Sequence, residues 1–126
     1  MLDHISLGVS NLGRAASFYD AVLAPLGYVR KWTGEDGVEY GAPDGGGKLA
    51  LFDMGAAARA PGAGWHLALT AADPAAVERF HALALAMGAE DEGPPWPRPH
   101  YGAGYFAAFI RDLDGYKIEA VFHAPR

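Results

Sequence analysis

"GWHLALTAADPAAVERFHALALAMG", residues 64–88, reads as a strand followed by a helix. Trp65, Leu67 and Leu69 alternate with His66, Ala68 and Thr70, the period of a half-buried strand. Asp73 followed by Pro74 is an N-cap and a first helical residue, and Gly88 marks the helix end. The stretch has a counterpart near the N-terminus, "LDHISLGVSNLGRAASFYDAVLAPLG", residues 2–27. A shift of 62 aligns His4 with His66, Asn11 with Asp73 as caps, and Phe18 with Phe80.

The segments after the two helices repeat as well. After Gly27 come "YVRKW", "VEYGAP" and "KLALFDM", separated by the turn signals "GEDG" and "DGGG". After Gly88 come strand-like pieces at about Ala89 to Glu92, Gly104 to Arg111 and Tyr116 to His123, the last two joined by the turn "DLDG". "KLALFDM" aligns with "KIEAVFH" at a shift of 69. A loop rich in proline, "EGPPWPRPHYG", interrupts the second series. The chain is a tandem repeat of a strand–helix–three-strand unit, an α+β fold of two βαβββ modules at about 1–56 and 64–126. "ARAPGAG" forms the linker. One such unit cannot bury its own sheet face, so both are expected to pack into one domain over residues 1–126.

Bulk properties narrow the function. The chain has 126 residues, enough for a core, and no cysteine, so thiolate metal sites and thiol nucleophiles are excluded. The formal charge is −5 without a Lys/Arg cluster, which speaks against nucleic-acid binding. With no span of 18 apolar residues and no basic leader, the reading is a soluble cytoplasmic protein without membrane attachment.

Strand parity places the chemistry. In the first strand Leu2, His4, Ser6 and Gly8 share a face, and Ile5, Leu7 and Val9 the other. In its counterpart Gly64, His66, Ala68 and Thr70 share the matching face. In the last strand Lys117, Glu119, Val121 and His123 do, opposite Ile118, Ala120 and Phe122. His4, His66 and Glu119 are therefore expected to converge on a helix-free sheet face. Two imidazoles and a carboxylate form the set that binds Fe, Mn, Ni, Zn or Co as a divalent ion. Taken singly, each has a simpler reading, and Glu119 could instead pair with Lys117 or Arg111.

At these residues the sequence resembles the vicinal oxygen chelate superfamily, the glyoxalase/bleomycin resistance/dioxygenase proteins. "LDHISLGVSNLGRAASFYDAVLAPLGY", "WHLALTA" and "YFAAFIRDLDGYKIEAVFH" carry the resemblance, over nearly the whole chain. It implies a curled, cup-shaped mixed sheet with helices outside, a divalent metal ion in the cup, and a substrate chelated through adjacent oxygens. The implied ligand positions fall on His4, His66 and Glu119. The fourth falls on Ala50, which cannot bind metal, so the isomerisation typical of glyoxalase I is not expected. The resemblance also implies a homodimer, in some members with ligands drawn from both chains.

The proline-rich loop supplies further candidates. His100 is the candidate for proton transfer, and Tyr105 or Tyr101 for a hydrogen bond to a metal-bound oxyanion. Trp96, Tyr101 and Phe52, with Tyr40 and Trp32, are candidates for the wall that holds a small molecule. Asp112 and Asp114 read as a hairpin turn, and His123 as a strand end. The expected function is a metal-dependent enzyme on a small oxygen-rich substrate, of dioxygenase, thiol-transferase or lyase type. The alternative is a non-catalytic protein that binds and sequesters a small molecule.

Overall fold

Asn11 and Asp73 start the two helices as their spacing predicts. The computed structural model describes residues 1–125. Asn11 Oδ1 accepts from Arg14 N at 3.1 Å, and Asp73 Oδ1 accepts from Ala76 N at 2.8 Å. Each bond satisfies a helix-terminal N–H, and its loss costs about 1 kcal/mol. The first module runs β1 (Ile5–Val9), α1 (Leu12–Leu23), β2 (Val29–Thr33), β3 (Gly37–Gly41) and β4 (Leu49–Asp53). The second runs β5 (Leu67–Thr70), α2 (Pro74–Ala86), β6 (Glu90–Pro97), β7 (Tyr105–Arg111) and β8 (Lys117–His123).

The modules form two four-stranded mixed sheets of identical topology, β1-β4-β3-β2 and β5-β8-β7-β6. In each, the first strand lies parallel to the last, and the other pairs are antiparallel. Ser6 faces Ala50 across the β1–β4 pair as Ala68 faces Glu119 across β5–β8. The repeat inferred from sequence therefore holds residue by residue across the two parallel pairs.

One core joins the modules. Leu7, Val9, Phe18, Leu23 and Leu51 of the first pack with Val77, Phe80, Ile110, Ile118 and Ala120 of the second. Polar ties reinforce the joint. Tyr116 donates to Gly8 O at 2.7 Å, Ser10 N donates to Asp114 Oδ1 at 3.0 Å, and Tyr19 donates to the buried Asp112 carboxylate. Asp112 Oδ1 also accepts from Asp114 N and Tyr116 N, so "DLDG" is the hairpin turn expected. Burial pushes the Asp112 carboxyl above the ordinary carboxylate range, against the pull of these hydrogen bonds.

The structure departs from expectation in β6. The strand continues through Pro94, Pro95 and Pro97, where a loop is expected. An edge strand tolerates proline on its unpaired side, and two register shifts, at Asp91/Gly93 and Gly93/Trp96, absorb the missing donors. Among the described residues no helix is long and apolar enough to cross a membrane.

Candidate functional site

Glu119 lies in the middle of β8, between Ala68 on β5 and Phe109 on β7, and is 1% exposed. A buried carboxylate is costly unless its oxygens are bonded. Both are. His66 Nε2 stands 2.9 Å from Glu119 Oε1, and the Tyr105 hydroxyl donates to Oε2. Strand order explains the convergence. His66 immediately precedes β5, and Tyr105 opens β7, so β8 receives one partner from each side. Lys117 and Arg111 do not bond the acid, and Arg111 is bound to Glu92 at 2.5 Å.

Tyr105 is a donor in this arrangement. Burial, then the bond to the Glu119 carboxylate, push its phenol well above its ordinary range. Both causes favour the neutral form. Beneath it Ala107, Phe109 and Val121 make a small apolar floor, separate from the main core. The edge of Phe109 meets the His66 ring at 5.7 Å between centroids.

A run of rings leads outward from Tyr105. Tyr101 lies 5.3 Å from it and His100 a further 4.1 Å from Tyr101, centroid to centroid. His100 and Tyr101 are exposed and touch neither Glu119 nor His66 through a hydrogen bond. His123 packs edge-on against Tyr105 at 4.9 Å. Trp96 belongs to β6, in register with Ala107, and is 68% exposed.

His4 lies elsewhere. It immediately precedes β1, in the other sheet, is exposed, and its Nδ1 lies 2.6 Å from Asp3 Oδ1. Among the described residues no three His, Cys, Asp or Glu side chains are close enough to hold an ion. One chain thus brings His66, Glu119 and Tyr105 together and leaves His4 apart. Phe52 packs with Trp32, 6.5 Å between centroids, also on the first sheet. Tyr40 points to the helix side and donates to Ala16 O at 3.1 Å and Asp20 Oδ1 at 2.8 Å, so it is no part of the wall. The strand parity of Val38 and Tyr40, both in the main core, dictates this.

The family model of the Glyoxalase/Bleomycin resistance protein/Dioxygenase superfamily matches residues 1–120. The chain belongs to this superfamily. A glyoxalase/bleomycin resistance protein from Albidiferax ferrireducens T118 has the same fold, with a TM-score of 0.85 and 31% identity over 98% of this chain and 99% of that one. A glyoxalase-related enzyme from Fulvimarina pelagi has a TM-score of 0.73 at 21% identity, covering 97% of this chain and 87% of that one. The fosfomycin resistance protein FosX of Listeria monocytogenes has 0.70 at 17%, covering 98% and 93%. The last two show likeness of fold alone. No curated protein matches the chain.

The divalent ion common in this superfamily can be tested against the donors present. An imidazole Nε2 and a carboxylate oxygen, 2.9 Å apart on two adjacent strands, are two donors of the right type. One chain brings these two donors together and, among the described residues, no third beside them: His4, on the other sheet, is exposed and bound to Asp3.

Proposed function

We propose that the protein is a metal-dependent enzyme acting on a small oxygen-rich molecule, its ion held by His66 and Glu119 of one chain and His4 of a second. The observation that carries this reading is the buried Glu119 carboxylate, held on its two sides by a histidine and a tyrosine. Identical topology of the two sheets supports the role of His4, because it occupies the position that His66 occupies in its own sheet. The missing fourth acid at Ala50 argues against a glyoxalase I reaction. The bound ion would supply a Lewis acid for two adjacent substrate oxygens. Glu119 would contribute the single negative charge among the ligands. Tyr105 keeps its proton on Oη and donates it in a hydrogen bond to Glu119, so its role is to position the carboxylate. His100 is exposed, packs on Tyr101 and makes no hydrogen bond to His66 or Glu119, so it is assigned to the entrance and not to the ligands.

Metal content tests the proposal. Protein grown in metal-replete medium and dialysed should carry roughly one ion per chain, lost in His66→Ala and in Glu119→Gln. Stoichiometric metal that survives both substitutions overturns it.

A second reading has its own support. Both oxygens of the buried Glu119 carboxylate have side-chain partners within the chain, so its burial is compensated by His66 and Tyr105 alone. A cup that binds and sequesters a small molecule would need nothing more. Ligand affinity unchanged after metal is stripped selects this reading over the first.

A further inference from the structure

Three basic side chains stand in one row across the second sheet. Arg111 of β7 pairs directly with Lys117 of β8, so the two share a face as close neighbours. His66 immediately precedes Leu67, and Leu67 pairs with Ile118, the residue after Lys117. His66 therefore flanks Lys117 on the other side of β8. The row lies one step along the face from Glu119. All three line one cavity of about 490 Å³, whose remaining wall is the linker from Pro61 to Trp65. Its volume suits a small molecule.

No carboxylate lines this cavity. Glu119 is buried and taken by His66 and Tyr105, and Glu92 is taken by Arg111. Lys117 has no carboxylate within ion-pair distance among the described residues. Its Nζ lies 5.2 Å from the Phe109 ring centroid, a contact that leaves its charge unbalanced. Arg111 differs. Its Nε donates to Glu92 at 2.5 Å and one Nη donates to Gly115 O at 2.8 Å. These bonds fix the guanidinium and leave its second Nη without an acceptor among the described residues. In a chain of net charge −5, an unbalanced cation beside an oriented donor, in a cavity without acids, attracts negative charge.

We propose that this cavity takes a small ligand bearing a carboxylate, with Lys117 as its counter-charge and the second Nη of Arg111 as a further donor. Charge selects the carboxylate. Glu92 balances Arg111, so the cavity offers a single net positive charge, which matches a monoanion better than a phosphate-type dianion. The proposal rests on reading the face of Glu119 as the ligand face, but not on the metal.

Titrations of ¹⁵N-labelled protein, before and after chelation, test this with benzoate, phenyl phosphate and the neutral benzyl alcohol. Benzoate is expected to saturate in both states, to shift the amides of Gly62, Gly64 and Lys117, and to weaken with added salt. Lys117→Met should weaken benzoate about tenfold, the loss of one charged hydrogen bond. Lys117→Arg, which keeps the charge, should restore most of the affinity. Benzyl alcohol should bind wild type and Lys117→Met alike. Lys117→Met should fold normally, because Lys117 makes no structural hydrogen bond. Failure of benzoate to saturate, equal affinity in wild type and Lys117→Met, or loss of binding on chelation overturns the site. Tighter binding of phenyl phosphate than of benzoate overturns the choice of carboxylate. The metal assay is read separately on untreated protein, so either proposal can fail without the other.

Discussion

Glu119 and Ala50 occupy the same position in the two sheets. Glu119 lies opposite Ala68 on β5 and Phe109 on β7, as Ala50 lies opposite Ser6 on β1 and Glu39 on β3. Both are buried, at 1% and 2% exposure. One module therefore carries an acid where the other carries a methyl group. The two sheets are chemically unequal, with a buried acid at this position in the second only.

Substitutions at Glu119 should separate folding from function. Glu119→Gln keeps the shape and an acceptor for Tyr105, so it should cost about 1 kcal/mol of stability. Glu119→Ala leaves a cavity and two unpartnered side chains, and should cost about 2–4 kcal/mol. Urea denaturation checks both midpoints. Metal should be lost equally from the two variants, which would assign the loss to the carboxylate and not to unfolding.

Tyr105→Phe removes one hydrogen bond and leaves a buried carboxylate oxygen without it. The expected cost is about 1–3 kcal/mol. As a partner of a ligand, the hydroxyl should also matter to metal affinity, by about 10–100-fold. Competition against a chelator of known affinity measures this. Unchanged affinity would remove Tyr105 from the support of the site and leave it a folding role alone.

Much of this architecture is legible in the sequence because its signals are local. Caps at Asn11 and Asp73, glycines at helix ends and period-two strands show the repeat, and the repeat points to His4, His66 and Glu119. Where His4 ends up depends on how two sheets sit about a shared core, which no local pattern records. Tyr40 shows the same limit at small scale. Its aromatic ring suits a binding wall, but its parity with Val38 commits it to the helix side. The path of β6 is hidden for another reason: its three prolines suggest a loop, and its place at the sheet edge lets the strand continue through them.

Alkaline titration should reveal the buried phenols. Burial raises Tyr19, Tyr28, Tyr40, Tyr105 and Tyr116 above their ordinary range. Above about pH 10 the unfolded chain releases phenol protons that the folded chain keeps, so stability falls as pH rises. Stability from these groups is fully present below that pH. Ultraviolet absorbance of the folded protein at about pH 11 should show most tyrosines still protonated, with ionisation appearing together with loss of circular dichroism. Ordinary ionisation of all six tyrosines while the fold persists would contradict it.

Sharing of the site between two chains can be tested by mixing two inactive variants. His4→Ala lacks the donor from the first sheet but keeps His66 and Glu119. Glu119→Gln lacks the acid but keeps His4. In a two-fold dimer with crossed sites, a mixed pair has one site with every ligand and one missing two. Each variant alone should bind no stoichiometric metal. Random re-pairing of equal amounts should restore about a quarter of the wild-type content. Sedimentation should show a dimer throughout. If the mixture stays empty although exchange is demonstrated, or if His4→Ala alone retains full metal, His4 is not a ligand across the interface, and the ion must be held by His66 and Glu119 with donors from solvent or substrate.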